Sequence, residues 1–173
     1  MTKNVELYDT TLRDGTQQEG ISLSVEDKLA ITKRLDALGV HVIEGGYAGA
    51  NPKDDEYFRR VTELNLDHAE IAAFGNTRRA HVKVSEDPTL QALLDTNATI
   101  LTLVGKSSEY QVTDILQTSL EENLAMVADS VNYLKTHGRR VFFDAEHFFD
   151  GYKLNADYAI QTLKVAMDAG AER

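Results

Sequence analysis

Short apolar runs alternate along this chain with longer amphipathic stretches, and this alternation constrains the fold more than any other feature. The runs have the length of buried strands, and the stretches between them carry apolar residues three and four positions apart, which is typical of helices. Successive strands that are separated by helices lie parallel in one sheet, with the helices packed against it. The sequence therefore predicts an α/β fold.

The alternation predicts about five strand-then-helix units, and each helix start is marked by a side chain suited to cap it. The predicted strands are residues 5–9, 40–44, 69–74, 99–104 and 140–145. The predicted helices are residues 25–38 after Ser24, the segment from Pro52 after Asn51, residues 88–94, the segment after Ser119 with Glu122 as a capping box, and the segment after Asn155.

Two architectures fit this order of elements. One is a five-stranded doubly wound sheet. The other is part of an eight-stranded β/α barrel, which typically needs about 250 residues. The length of 173 residues favours the first, whereas residues 168–173 have the pattern of a helix end and a turn into a further strand. That ending favours a partial barrel.

Composition excludes several classes of protein. The chain has 18 basic and 28 acidic residues and a net charge of −10, which argues against nucleic acid as a partner. No apolar run has the length of a membrane span, and the N-terminus has no apolar core of a signal peptide. Cysteine is absent, so disulfides, thiolate nucleophiles and cysteine-based zinc sites are excluded. We expect a soluble, cytoplasmic protein without membrane contact.

Ligands of parallel α/β folds bind at the carboxyl ends of the strands, so the residues after each predicted strand are candidates for function. The loop after the first strand contains Arg13, Asp14 and Gln17. Asp14 suits a hard cation, and Arg13 suits a carboxylate or a developing oxyanion. The alternative is an Arg–Asp pair that closes a turn.

The later strand ends are also polar. Glu44 begins a stretch with glycines at 45, 46 and 49, which indicates a loop that a ligand approaches closely. Glu44 itself is equally explained as a carboxylate that is hydrogen-bonded by the neighbouring backbone. Arg78 and Arg79 suit an anion or simple surface charge, and Lys106 is a weaker candidate for an anion. Asp144 and Glu146 lie on one side of the fifth strand, next to His147, and paired carboxylates suit acid–base chemistry.

The stretch Asp9-Thr-Thr-Leu-Arg-Asp-Gly-Thr-Gln17 resembles the first strand of a family of metal-dependent barrels. This family contains 2-isopropylmalate, homocitrate and citramalate synthases and hydroxymethylglutaryl-CoA lyase. Residues 43–54, 73–79 and 143–153 resemble the citramalate synthase branch most. The resemblance implies that residues 1–173 are the N-terminal portion of a catalytic barrel domain, with about the first five β/α units and without the later strands and the regulatory domain.

The resemblance also implies a chemistry: an acyltransferase that condenses acetyl-CoA with a 2-oxo acid, for this branch pyruvate, in isoleucine or leucine biosynthesis. A divalent metal, Mg²⁺ or Mn²⁺ with Zn²⁺ as a third candidate, polarises the ketone. The full-length protein is expected to be a homodimer. By position, Arg13 and Glu146 are catalytic, Asp14 is a metal ligand, and Arg13, Gln17, Glu44 and Asn76 bind substrate.

The family's His-x-His metal ligands are absent from the sequence, so we expect residues 1–173 alone to be inactive. Three alternatives stay open. The protein is a 2-isopropylmalate or homocitrate synthase, it is a carbon–carbon lyase acting on hydroxymethylglutaryl-CoA or a related thioester, or it is a non-catalytic five-stranded α/β binding module.

Overall fold

Five parallel strands form a single sheet in a computed structural model, which describes residues 5–173. The sheet order follows the chain order, as in a β/α barrel, without the reversal of a doubly wound sheet. The predicted partial barrel is therefore confirmed. The strands are β1 (Tyr8–Asp9), β2 (Val42–Tyr47), β3 (Glu70–Asn76), β4 (Ile100–Lys106) and β5 (Arg140–Glu146), and the helices are α1 (Val25–Ala37), α2 (Pro52–Val61), α3 (Pro88–Asp95), α4 (Leu120–Thr136), α5 (Phe148–Leu154) and α6 (Ala156–Asp168).

The two faces of the sheet are different. Alternate residues of the strands, such as Ile43 and Leu101, belong to the main core with the helices. Their neighbours on the opposite face form a separate apolar layer, made of Val42, Ala72, Ile100 and Phe142. This second layer is the floor beneath the polar carboxyl ends of the strands.

The helix starts follow the predicted caps. Ser24 and Asp27 form a capping box at α1, and the side chains of Asn51 and Asn155 accept hydrogen bonds at α2 and α6. At α4, Ser119 accepts from the backbone N–H of Glu122, but the Glu122 carboxylate accepts from Arg78 instead of closing a box. The capping-box prediction at Ser119 is therefore wrong in its second half.

The strand limits differ most from the prediction in the first two strands. Strand β1 has only two residues, and β2 extends through Gly45 and Gly46 into the predicted loop. A Cβ on Gly45 would overlap the Tyr57 ring, and one on Gly46 would lie 2.8 Å from Cγ of Asp54. These glycines let α2 pack closely against β2, so the prediction of a ligand-approached loop is wrong for them.

The end of the chain continues the sheet pattern, as the sequence predicts. The backbone N–H of Glu172 donates to Val141 at 2.8 Å, and that of Phe143 donates to Arg173 at 2.9 Å. A short helix that the sequence pattern does not predict, α5, separates β5 from α6. Among residues 5–173, no helix combines the length and the hydropathy needed to cross a bilayer.

Two buried polar contacts fix α1 against its neighbours. Lys28 and Asp54 form a buried ion pair between α1 and α2. The carboxylate of Asp36, near the end of α1, accepts three backbone N–H bonds from residues 67–69, the loop that leads into β3. These hydrogen bonds hold the pKa of Asp36 below its ordinary value.

Candidate active site

Residues from all five strand ends surround an open depression of about 460 Å³. Five of the six predicted site residues line it, namely Arg13, Asp14, Gln17, Asn76 and Glu146. Three carboxylates line the depression, against the two cationic side chains of Arg13 and Lys106. This excess of negative charge suits a divalent metal ion, and an anionic substrate would have to contact the two cationic side chains. The other lining residues are Thr10, Tyr47, Phe74, Val104, Lys106 and Asp144.

Arg13 is held in one orientation by three contacts. Its Nε donates to Oε1 of Glu44 at 2.6 Å, and its Nη1 donates to Oδ1 of Asp14 at 3.2 Å. The guanidinium carbon lies 3.8 Å from the centre of the Phe74 ring, a cation–π contact. The Arg–Asp pair considered from the sequence is present, but the shorter bond to Glu44 determines where the guanidinium lies.

Glu44, the sixth predicted residue, lies beneath the depression and is only 1% exposed. Its Oε2 accepts a hydrogen bond from the hydroxyl of Tyr8 at 2.6 Å, and its Oε1 accepts from Arg13. Burial raises the pKa of Glu44, and the hydrogen bonds to Tyr8 and Arg13 offset part of that rise. Glu44 therefore supports Arg13 from below and has no free face for a substrate.

Asp14 presents a carboxylate that is 61% exposed at the edge of the depression, close to Gln17. Carboxylate and amide oxygens are ligands that hard divalent cations prefer. Within residues 5–173, no group of three or more His, Asp or Glu side chains is arranged to hold a metal ion. The donor chemistry fits one ligand of a metal site, and the described residues do not complete the site.

Strand β5 brings the predicted carboxylate pair to the same depression. Glu146 forms an ion pair with Lys106, its partner in register on β4. Desolvation raises the pKa of Asp144, and the negative charges of Glu146 and Asp14 raise it further, against the effect of Arg13 and Lys106. His147 does not line the depression and lies at the start of α5 with a positive φ of 54°.

The two arginines after β3 differ, since the Arg78 side chain is buried and the Arg79 side chain is exposed. Arg78 is 6% exposed and forms ion pairs with Glu122 at 2.7 Å and Asp129 at 2.8 Å, both on α4. The backbone N–H of Arg79 donates to Asp87, the cap of α3. Arg78 therefore joins the β3 loop to α4 and is not available to an anionic ligand.

Sequence reasoning missed two residues next to the site. The Tyr8 hydroxyl bridges Glu44 and Thr102, with Oγ1 of Thr102 at 2.7 Å. Strand alternation places Thr102 and Phe142 on the floor face of the sheet, and Tyr8 packs against the Phe142 ring at 6.0 Å. The sequence contained a signal for Thr102, since strand alternation assigns this polar residue to the apolar floor of the sheet.

The family model described as HMGL-like matches residues 4–173, nearly the whole chain. The chain belongs to the HMGL-like family. Membership agrees with the resemblance of residues 9–17 to the first-strand loop of this family. Four residues of that loop, Thr10, Arg13, Asp14 and Gln17, line the depression.

Relatives of known name are similar over almost the full chain. The (R)-citramalate synthase of Synechocystis sp. is 57% identical over 166 residues, which cover 96% of this chain and 30% of that protein. The 2-isopropylmalate synthase of Methanocaldococcus jannaschii is 37% identical over 168 residues, or 97% of this chain and 30% of that protein. The chain spans about a third of the length of the curated relatives it matches.

Among solved structures, the hydroxymethylglutaryl-CoA lyase of Pseudomonas aeruginosa has the same fold. The TM-score is 0.74 at 20% identity, and the match covers 98% of this chain and 56% of that one. At this identity, the likeness concerns the fold alone.

Proposed function

We propose that the protein containing this chain is an acyltransferase that condenses acetyl-CoA with pyruvate to give citramalate. The observation that carries the proposal is the identity of 50–57% with five (R)-citramalate synthases over nearly all of the chain. The identity with 2-isopropylmalate synthase is 37%, which makes that reaction the second candidate. The lyase likeness is one of fold, so it does not favour cleavage over condensation.

The proposed reaction consumes acetyl-CoA, pyruvate and water. A base removes a proton from the acetyl methyl group, and the resulting carbanion forms a bond to the ketone carbon of pyruvate. The electron pair of the ketone π bond goes to its oxygen, which then takes a proton. Water cleaves the thioester and releases CoA as the free thiol, so atoms and charge balance.

Arg13 is proposed to stabilise the negative oxygen that develops during this reaction. Its guanidinium is already fixed by Glu44 and Phe74, so it needs little reorganisation when charge appears at the depression. Preorganised donors of this kind lower barriers more than mobile ones do. Arg13 is also the proposed contact for a substrate carboxylate.

Glu146 is proposed as the carboxylate that exchanges a proton with the substrate. It lines the depression at the end of β5 and its side chain is 35% exposed. Lys106 balances its charge, and Asp144 lies beside it on the same face of the strand. Gln17 and Asn76, which line the same depression, are proposed to donate amide hydrogen bonds to the 2-oxo acid.

Asp14 is proposed as one ligand of Mg²⁺ or Mn²⁺, with Zn²⁺ as a third candidate. Its exposed carboxylate supports this role, and the other ligands would come from outside residues 5–173. Such an ion would polarise the ketone of the 2-oxo acid. We further propose that the complete protein is a cytoplasmic homodimer that acts in isoleucine biosynthesis, with leucine biosynthesis as the alternative if it is an isopropylmalate synthase.

Thiol release from acetyl-CoA tests the substrate directly. The full-length protein would be assayed with Mg²⁺ or Mn²⁺ and with pyruvate, 2-oxoisovalerate or 2-oxoglutarate. We expect kcat/KM to be highest for pyruvate. A preference for 2-oxoisovalerate or 2-oxoglutarate would contradict the assignment of pyruvate as substrate but would agree with the condensation mechanism. If no thiol is released with any of the three acids, the proposed condensation is wrong.

A further inference from the structure

The hydroxyl of Tyr8 connects strand β1 to the support of Arg13. It lies 2.6 Å from Oε2 of Glu44 and 2.7 Å from Oγ1 of Thr102. The other oxygen of Glu44 accepts from Nε of Arg13 at 2.6 Å. Three strands and the first-strand loop thus meet in one chain of hydrogen bonds beneath the depression.

The direction of these bonds follows from the chemistry of the groups. An ionised carboxylate only accepts, so both Tyr8 and Arg13 donate to Glu44. The Tyr8 hydroxyl has a single proton, and its oxygen must therefore accept from the hydroxyl of Thr102. Desolvation and the charge of Glu44 raise the pKa of Tyr8, which keeps this donor protonated.

Glu44 depends on both donors because it is 1% exposed, and such burial keeps solvent from replacing a missing bond. Without the Tyr8 hydroxyl, Oε2 would be a buried, unpaired acceptor, which is costly. The carboxylate would relieve this by turning both oxygens toward Arg13 or by taking a proton. Either change moves or releases the Arg13 guanidinium.

We propose that Tyr8, oriented by Thr102, is a positioning residue that fixes Arg13 through Glu44. Tyr8 does not line the depression, so it acts through Arg13 and not on substrate. This inference rests on the role of Arg13 in the proposed function. Thr102 is 6% exposed, and its hydroxyl completes the network through its hydrogen bond with Tyr8.

The test compares two Tyr→Phe variants of the full-length protein. Tyr8→Phe removes the bridging hydroxyl and keeps the ring against Phe142, so we expect kcat to fall roughly tenfold. The KM for pyruvate should rise, because Arg13 is also its proposed carboxylate contact, and the KM for acetyl-CoA should stay unchanged. Tyr57→Phe is the matched control, since its hydroxyl bonds Thr32 at 2.9 Å between α1 and α2, away from the depression. This control should lower the melting temperature and leave kcat unchanged. An unchanged kcat in Tyr8→Phe, or an equal loss in both variants, would overturn the proposal.

A double-mutant cycle separates positioning from a general structural effect. In an Arg13→Lys background the donor to Glu44 is already altered, so Tyr8→Phe should cause little further loss of kcat. If Tyr8→Phe lowers kcat by the same factor in the wild-type and the Arg13→Lys backgrounds, Tyr8 does not act through Arg13.

Crystal structures of the wild type and of Tyr8→Phe give a readout that does not need activity. We expect the Arg13 Nε–Glu44 hydrogen bond to be lost or changed in the variant, and an unchanged bond would overturn the proposal. If the wild type releases no thiol, the proposed function fails, and the structures still decide the role of Tyr8.

Discussion

The position of the Arg13 guanidinium depends on residues from separate parts of the chain. Glu44 on β2 fixes Nε, and Phe74 on β3 supports the face of the guanidinium. Glu146 reaches the same depression from β5. Each contact brings together residues that are far apart in sequence, so the site depends on the register of the parallel strands.

Replacing Glu146 tests its proposed role in proton transfer. We expect Glu146→Gln to lower kcat by about 100-fold or more, because the amide keeps the shape of the side chain and cannot accept the proton. The full-length protein would be assayed for thiol release at saturating acetyl-CoA and pyruvate. Asp150→Asn is the control, since this carboxylate is exposed and close in sequence, and bonds only Lys153 among the described residues. Equal activity in both variants would contradict a catalytic Glu146.

At the residue scale, the sequence predicts well which side chains line the depression, and it predicts their individual hydrogen-bond partners less well. Arg13, Asp14, Gln17, Asn76 and Glu146 all follow strands predicted from the sequence, and the rule for parallel sheets brings them together. The pairing of Glu44 with Tyr8 required the register of β1 and β2, which periodicity does not specify.

At the scale of elements, helix caps and core stripes were predictable because they depend on near neighbours in the chain. Ser24, Asn51 and Asn155 cap the helices that they precede. The roles of Gly45 and Gly46 were not predictable, because they depend on Tyr57 and Asp54 of the facing helix. A glycine-rich stretch after a strand has the same pattern whether a ligand or a helix approaches it.

The loop between α2 and β3 is held by Asp36, and this contact has a defined dependence on pH. The pKa of Asp36 is lowered in the folded state, so its contribution to stability is present above the ordinary pKa of 3.8 and is lost as the pH falls through the lower folded-state value. We expect Asp36→Asn to reduce the free energy of unfolding by about 2 kcal/mol at pH 7, with a smaller difference from wild type below pH 4.

Urea unfolding of the full-length protein at pH 7 and at pH 2.5 measures this difference. Asp67→Asn is the control, since its side chain is exposed in the same loop and it should have little effect at either pH. An Asp36→Asn effect that is equal at both values, or that grows toward acid pH, would contradict the account.

At the scale of the whole molecule, the described residues supply one side of the proposed active site. The depression is open, and among residues 5–173 no three suitable side chains are arranged to hold a metal ion. We therefore expect isolated residues 1–173 to show no thiol release and only weak binding of Mn²⁺ by calorimetry. Turnover by this segment, with circular dichroism showing that it is folded, would contradict that expectation.

Formation of a carbon–carbon bond by the full-length protein decides whether the proposed condensation takes place. The protein would be incubated with acetyl-CoA, a divalent metal and ¹³C-labelled pyruvate, and the products would be followed by NMR together with released thiol. We expect one labelled citramalate for each thiol released, with loss of the citramalate signal in Arg13→Lys. Thiol release without a new carbon–carbon bond, or cleavage of hydroxymethylglutaryl-CoA without any condensation, would be evidence against the proposed function.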